Sequence, residues 1–155
     1  QTAGIQEVQL PNEERIRVLC DCDGWMIIQR RIDGKQDFNK NWEEYKLGFG
    51  DMHGDFFLGL ENLHHITSSK VHELHISLSN SWRRFLVKYD NFRIGNSASF
   101  YKLDSLGEFT ESASNGLRSN TQFSTFDRNH IPKPSKNCAS DHMGGWWYPK
   151  YCGGR

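Results

Sequence analysis

The sequence lacks the long apolar run that a membrane-spanning helix needs. No stretch approaches the roughly 20 consecutive apolar residues required, so we predict no membrane insertion. It also lacks an excess of either charge, because 19 basic residues balance 19 acidic ones. That balance gives no electrostatic case for binding nucleic acid or an anionic membrane. A signal peptide is also absent from the start of the sequence, which we interpret as a mature chain or a fragment.

Cysteine and proline are scarce, with four of each. Four cysteines are compatible with a secreted protein holding one or two disulfides, and equally with a cytosolic chain. Cys20 and Cys22 are separated by one residue, so a bond between them would close a strained ring. They also lack the second matching pair of a zinc knuckle.

The sequence has no recognisable catalytic motif. Its seven histidines show no metal-ligand spacing such as H-E-x-x-H, and no nucleophile elbow is present. Gly48-Phe49-Gly50 lacks the third glycine of a dinucleotide fingerprint. We therefore predict that the protein is not an enzyme.

What the chain does have is 155 residues, 20 aromatic side chains and 14 glycines, typical of one globular, turn-rich domain. Alternating apolar residues predict strands in residues 1–31 and again in 70–106. Asp37 is a candidate N-cap for a helix ending near Lys46, and Glu61–His65 is a second candidate helix. The polar residues 110–124 predict a long surface loop.

The most distinctive stretch runs from Phe123 to Cys152 and contains Gly144-Gly145-Trp146-Trp147-Tyr148. If this stretch is extended, consecutive tryptophans point to opposite sides. Either both still reach the core, or one enters the core and the other faces another layer or a ligand.

This stretch, with FST, NCA and GGWWY in order, resembles the C-terminal part of fibrinogen-related domains. The first half carries the family's opening signature in Gly24-Trp25 through Gly34 and in Gly54-Asp55-Phe56-Phe57-Leu58-Gly59. The resemblance implies an α+β fold of the fibrinogen C-terminal type, with a central twisted antiparallel sheet and short helices. It divides residues 1–155 into N-terminal strands (1–31), a central sheet region (32–106) and a loop-rich binding subdomain (107–155).

The resemblance also implies a site. It pairs Cys138 with Cys152 in a disulfide and leaves Cys20 without its usual upstream partner, so the chain is either a fragment or a divergent member. The family's ligand pocket lies beside the second cysteine, next to a cis peptide bond that corresponds here to Tyr151–Cys152. The matching ligand-binding candidates are as follows: His142, Tyr148, Tyr151, Cys152 and Gly153. His142 is equally well interpreted as an exposed loop histidine.

Family members typically hold calcium in a loop before the first of these two cysteines. Asp127 and Asn129 keep oxygen ligands there, but Ile131 stands where a carboxylate is expected. Arg128 and two lysines add positive charge, and Ca²⁺ requires several oxygen donors. We interpret Asp127 and Asn129 as the remnant of a degraded calcium loop.

The family implies a secreted, extracellular recognition domain. Two functions remain open, because one fold serves both. The first is lectin-like binding of acetylated carbohydrate or cell-surface glycan in innate immunity. The second is a protein-binding signalling, adhesion or matrix module with a protein receptor. A deep aromatic pocket at His142 and Tyr148 would favour the first, and a flat apolar surface the second. Homo-oligomers in the family form through segments that this sequence does not contain.

Overall fold

The computed structural model describes residues 3–111, 116–132 and 136–152. Three α-helices lie among short strands in this part of the chain. In chain order the elements are β1 (Gly4–Gln9), β2 (Arg15–Cys20), β3 (Met26–Ile27), β4 (Gln29–Arg30), α1 (Trp42–Leu47), β5 (Phe49–Gly50), β6 (Phe56–Phe57), α2 (Leu60–Ser69), β7 (Leu74–Ser79), β8 (Arg84–Tyr89), β9 (Arg93–Ile94), a 3-10 turn (Ser97–Ser99), β10 (Leu103–Ser105), β11 (Phe109–Glu111) and α3 (Cys138–Asp141).

Every strand pairing among the described residues is antiparallel, in four small sheets ordered β1-β2-β3, β4-β6-β5, β11-β8-β7 and β10-β9. The last of the strands predicted in residues 1–31 divides at Ile28, whose carbonyl accepts the amide of Leu58. Before that point the chain pairs with β2, and after it with β6. One continuous segment thereby links two sheets.

Helix α1 begins later than the sequence suggested. Its N-cap is Asn41, not Asp37, and Asn41 forms a capping box with Glu44. The side chain of Asn41 accepts the Glu44 amide at 2.9 Å while Glu44 accepts the Asn41 amide at 2.9 Å. This reciprocal pair satisfies two free helix-end donors. Asp37 instead accepts the amide of Asn39 in a local turn. Helix α2 was predicted too short, since it continues to Ser69.

The main core lies between α1, α2 and the sheets. Its largest fully buried side chains are aromatic or branched: Tyr45, Tyr89, Tyr101, Phe56, Phe123, Leu60, Leu63, Ile94 and Leu103. A second, smaller cluster lies beneath the C-terminal loop and contains Ile131, Cys138, Ala139 and Tyr148. Trp146 packs against both clusters, which joins the loop to the body of the domain.

The surface loop predicted over residues 110–124 is only partly correct. Strand β11 occupies its start and pairs with β8, and the side chains of Leu117 and Phe123 are buried. The Phe123 amide also bonds to the Phe100 carbonyl at 3.0 Å. The polar composition concealed these anchors, because a single buried apolar residue in a polar segment carries no periodicity. Residues 112–115 of this loop, including Asn115, lie outside the described residues.

Candidate functional site

The predicted site residues lie on the loop closed by Cys138 and Cys152, which form a disulfide with Cα atoms 5.3 Å apart. Helix α3 begins at Cys138, and the Asn137 side chain caps it by accepting the Ser140 amide at 3.1 Å. The helix lasts one turn and ends at Asp141, with His142 as its C-cap. Such a short helix depends on its caps and on the disulfide, since nucleating a helical turn is unfavourable.

His142 and Tyr148 come together as a stacked pair, with ring centroids 5.6 Å apart and planes inclined by 21°. The two side chains differ in environment, because His142 is exposed while Tyr148 is buried. The Tyr148 hydroxyl donates to the Gly144 carbonyl at 2.6 Å. Burial raises the pKa of Tyr148 to about 12. The hydroxyl therefore stays protonated, and its hydrogen bond to Gly144 stabilises the loop.

The end of the loop turns without the cis bond that the family pattern implied. No peptide bond among the described residues is cis, so the family's cis bond is not present at Tyr151–Cys152 in this structure. Cys152 instead has a φ of 63° and its amide bonds to the Pro149 carbonyl at 2.9 Å. Gly153 lies outside the described residues.

Two large side chains are exposed on this surface. Met143 is 68% exposed and Tyr151 is 66% exposed. The ammonium of Lys150 lies 5.5 Å from the Tyr151 ring centroid. Two open grooves, of about 460 and 500 Å³, lie elsewhere, one beside Phe109 and Leu117 and the other beside Arg17 and His53. Neither groove involves His142 or Tyr148.

The loop is attached to helix α1 by one buried hydroxyl. Tyr45 donates to the Phe38 carbonyl at 2.5 Å and accepts the Gly145 amide at 2.9 Å. A Cβ placed on Gly145 would lie 2.8 Å from both the Tyr45 and the Phe123 rings, so only glycine fits there. Burial raises the pKa of Tyr45 to about 12. Sequence reasoning missed this link, since 100 residues separate the two partners.

Of the two adjacent tryptophans, Trp147 is in the core, where its indole nitrogen donates to the Tyr101 carbonyl at 2.8 Å. Trp146 is half-buried and lies between the two hydrophobic clusters. The alternative in which one tryptophan enters the core and the other contacts a second layer is therefore the one observed.

The structure matches a known family along almost its whole length. Residues 1–154 match the family described as fibrinogen beta and gamma chains, C-terminal globular domain. The chain belongs to this family. The domain is 37% identical to tenascin-R of Gallus gallus over 94% of this chain and 11% of that protein. It is 37% identical to angiopoietin-related protein 2 of Homo sapiens over 95% of this chain and 31% of that protein.

The solved structures agree with this assignment and confirm the α+β fibrinogen-like fold. The fibrinogen-like globe domain of human ANGPTL2 superposes with a TM-score of 0.91 at 36% identity, covering 98% of this chain and 73% of that one. A lamprey fibrin D-dimer complexed with the peptide Gly-His-Arg-Pro-amide gives a TM-score of 0.89 over 99% of this chain and 55% of that one. At 24% identity, it supports the fold alone.

In this fibrinogen-related domain, the two calcium candidates form hydrogen bonds within the protein. One carboxylate oxygen of Asp127 accepts the Trp42 amide at 3.0 Å and the Thr125 hydroxyl at 2.7 Å. Asn129 donates to the Lys136 carbonyl at 2.7 Å and accepts the Ile131 amide at 3.2 Å. Ile131 is buried in the second cluster. These contacts give Asp127 and Asn129 structural roles.

His130 is a residue that sequence reasoning overlooked. Its ring stacks on Phe100 at 3.9 Å and meets the Trp42 ring edge-on at 5.0 Å. Nδ1 donates to the Phe123 carbonyl at 2.7 Å, which places the proton on that nitrogen in the neutral ring. His130 thus ties the 127–136 segment to α1. A single histidine in a polar segment gives no signal of such packing.

The two remaining cysteines, Cys20 and Cys22, are unpaired in this structure. Cys20 is half-buried at the end of β2 and Cys22 is exposed in the following turn. No helix in the described part of the chain is both long and apolar enough to cross a membrane.

Proposed function

We propose that this domain is a non-enzymatic extracellular recognition module that binds a protein partner through the surface around Met143 and Tyr151. One observation carries the proposal: Met143 and Tyr151 are both exposed on the loop where the sugar pocket was predicted. His142 lies on Tyr148, and Tyr148 uses its hydroxyl on the Gly144 carbonyl. Exposed methionine and tyrosine are among the residue types enriched in protein interfaces.

The secreted location is part of the same proposal. A disulfide closes the C-terminal loop, and structural disulfides persist in oxidising compartments. Tenascin-R and angiopoietin-related protein 2, two of its relatives, support a role in signalling or the extracellular matrix. The domain covers 11% and 31% of these proteins, so their complete activities are only a guide.

The test is binding of the labelled domain to intact cells. One sample of cells is treated with protease and another with glycosidases before binding is measured. The proposal expects binding that protease removes and glycosidases leave, and that Met143→Asp weakens. Ile32→Asp is the matched control, because Ile32 is 65% exposed on a different part of the domain. Binding that only glycosidases remove would overturn the proposal.

The second candidate function is lectin-like binding of an acetylated sugar. It is favoured by the position of the His142–Tyr148 stack beside the disulfide, since flat aromatic rings offer a surface for an apolar sugar face. In this function the exposed face of the His142 ring would contact the sugar. Calorimetric titration with N-acetylglucosamine, with and without Ca²⁺ and with His142→Ala, tests this function. Saturable heat that the variant loses would establish it.

A further inference from the structure

The hairpin formed by β7 and β8 ends in a rigid turn. The two strands pair without interruption from Leu74–Tyr89 to Ser79–Arg84. At the turn, the Asn80 amide donates to the Arg83 carbonyl at 2.9 Å. The Asn80 side chain accepts the amides of Trp82 and Arg83 at 3.0 and 2.8 Å. An asparagine that bonds to the backbone ahead of it in this way fixes the turn.

This fixed turn carries a solvent-exposed tryptophan. Trp82 is 91% exposed, whereas Trp25 is 38% exposed and both Trp42 and Trp147 are 4% exposed. Leu78, two residues before Asn80, is 55% exposed. Tryptophan is amphipathic and is enriched where one end of a site is apolar and the other wet, as at a bilayer interface. The fixed turn therefore keeps this apolar tip exposed and prevents it from packing back against the domain.

The same hairpin is basic. Between Leu74 and Tyr89 the sequence has no Asp or Glu but contains Arg83, Arg84 and Lys88. Among the described residues, no carboxylate lies within ion-pair distance of these three cations. Arg84 donates to the Ser77 hydroxyl at 3.1 Å, which holds its side chain along the strand. A net charge of zero for the whole chain hides this local excess.

We propose that the tip of this hairpin, residues 80–84 with Leu78, docks on an anionic phospholipid surface. Trp82 and Leu78 would lie at the level of the headgroups, and the two arginines would bind phosphate oxygens, for which the guanidinium group is suited. The charges elsewhere on the domain oppose this little, because exposed charges beyond about 10 Å are screened. A sulfated polysaccharide is less well matched, since an indole and not a cation stands at the tip.

The experiment is flotation of the full chain with phosphatidylcholine vesicles, with or without phosphatidylserine. We expect binding only with phosphatidylserine, weakened by added salt. Trp82→Ala and the pair Arg83→Gln with Arg84→Gln should each weaken binding by about tenfold. Leu47→Ala is the control for the tryptophan, because Leu47 is 71% exposed on α1. Arg118→Gln is the control for the arginines, since Arg118 is exposed beside the 460 Å³ groove.

A second measurement, fluorescence quenching, tests directly whether the tip lies in the lipid. Brominated lipids quench nearby indoles, so they should quench wild-type fluorescence and lose that extra quenching in Trp82→Phe. Circular dichroism of each variant confirms folding, which an exposed side chain should not affect. Absence of binding to phosphatidylserine, equal binding to neutral vesicles, or unchanged binding by Trp82→Ala would each overturn the proposal. Binding to heparin without binding to vesicles would assign the tip to sulfated polysaccharide instead.

Discussion

The hydroxyl of Tyr45 is the connection between α1 and the candidate site, so its removal is the most informative perturbation. In Tyr45→Phe the ring stays, but the Phe38 carbonyl and the Gly145 amide both lose their partner. Phe38 is 4% exposed, so water cannot readily replace the hydroxyl. A buried polar group left without a partner costs about 1–3 kcal/mol. We expect the free energy of unfolding to fall by that amount.

The assay is urea unfolding followed by tryptophan fluorescence. The midpoint should fall while the dependence on urea stays the same, since the surface exposed on unfolding is unchanged. Tyr151→Phe is the control, because Tyr151 is mostly exposed, and it should change stability by less than about 0.5 kcal/mol. Faster amide hydrogen exchange at Gly145 and Trp146 in Tyr45→Phe should show that the loop is the part that loosens.

A loss below about 0.5 kcal/mol in Tyr45→Phe would refute the reasoning, since that is the scale of ordinary surface substitutions. So would a loss matched by Tyr151→Phe. Either result would mean that the loop is held by the disulfide and the tryptophans alone.

Three further predictions follow from other contacts. Gly145→Ala should cost about 1–3 kcal/mol in urea unfolding through overpacking against Tyr45 and Phe123; an unchanged midpoint would contradict it. The free energy of unfolding should begin to fall above pH 10 and continue to fall towards pH 12, because in this range the folded state keeps the Tyr45 proton that the unfolded chain loses. A free energy of unfolding that stays constant across that range would contradict this prediction. Backbone amides, foremost that of Ile32, hold the pKa of Asp55 below its usual range. The free energy of unfolding should therefore fall as the pH drops through that pKa. Asp55→Asn should reduce this dependence of stability on acidic pH.

The elements best predicted from the sequence are those with sustained periodicity. Strand β2 shows alternation in Ile16, Val18 and Cys20, and β7 shows it in Leu74 and Ile76. The glycine and aromatic pattern identified the family, and the family supplied the disulfide between Cys138 and Cys152. These features are local or follow from an inherited pattern, which is why they are visible in one sequence.

The sequence could not show contacts between distant residues. The Tyr45–Gly145 bond and the Asp127–Trp42 bond span 100 and 85 residues. Asp127 was interpreted as the remnant of a degraded calcium loop, because a carboxylate in a loop gives the same sequence pattern whether it binds an ion or a helix amide. The exposure of Trp82 was also not predicted, because it depends on the turn that Asn80 fixes between β7 and β8.

The most direct test of the proposed protein-binding function is calorimetric titration of the folded domain with N-acetylglucosamine, with and without Ca²⁺. We expect no saturable heat in either condition, because Met143 and Tyr151 are exposed on the loop where the sugar pocket was predicted. Saturable binding that His142→Ala abolishes would contradict the proposed function and make the domain a lectin. Binding that also required Ca²⁺ would further contradict the structural roles assigned to Asp127 and Asn129.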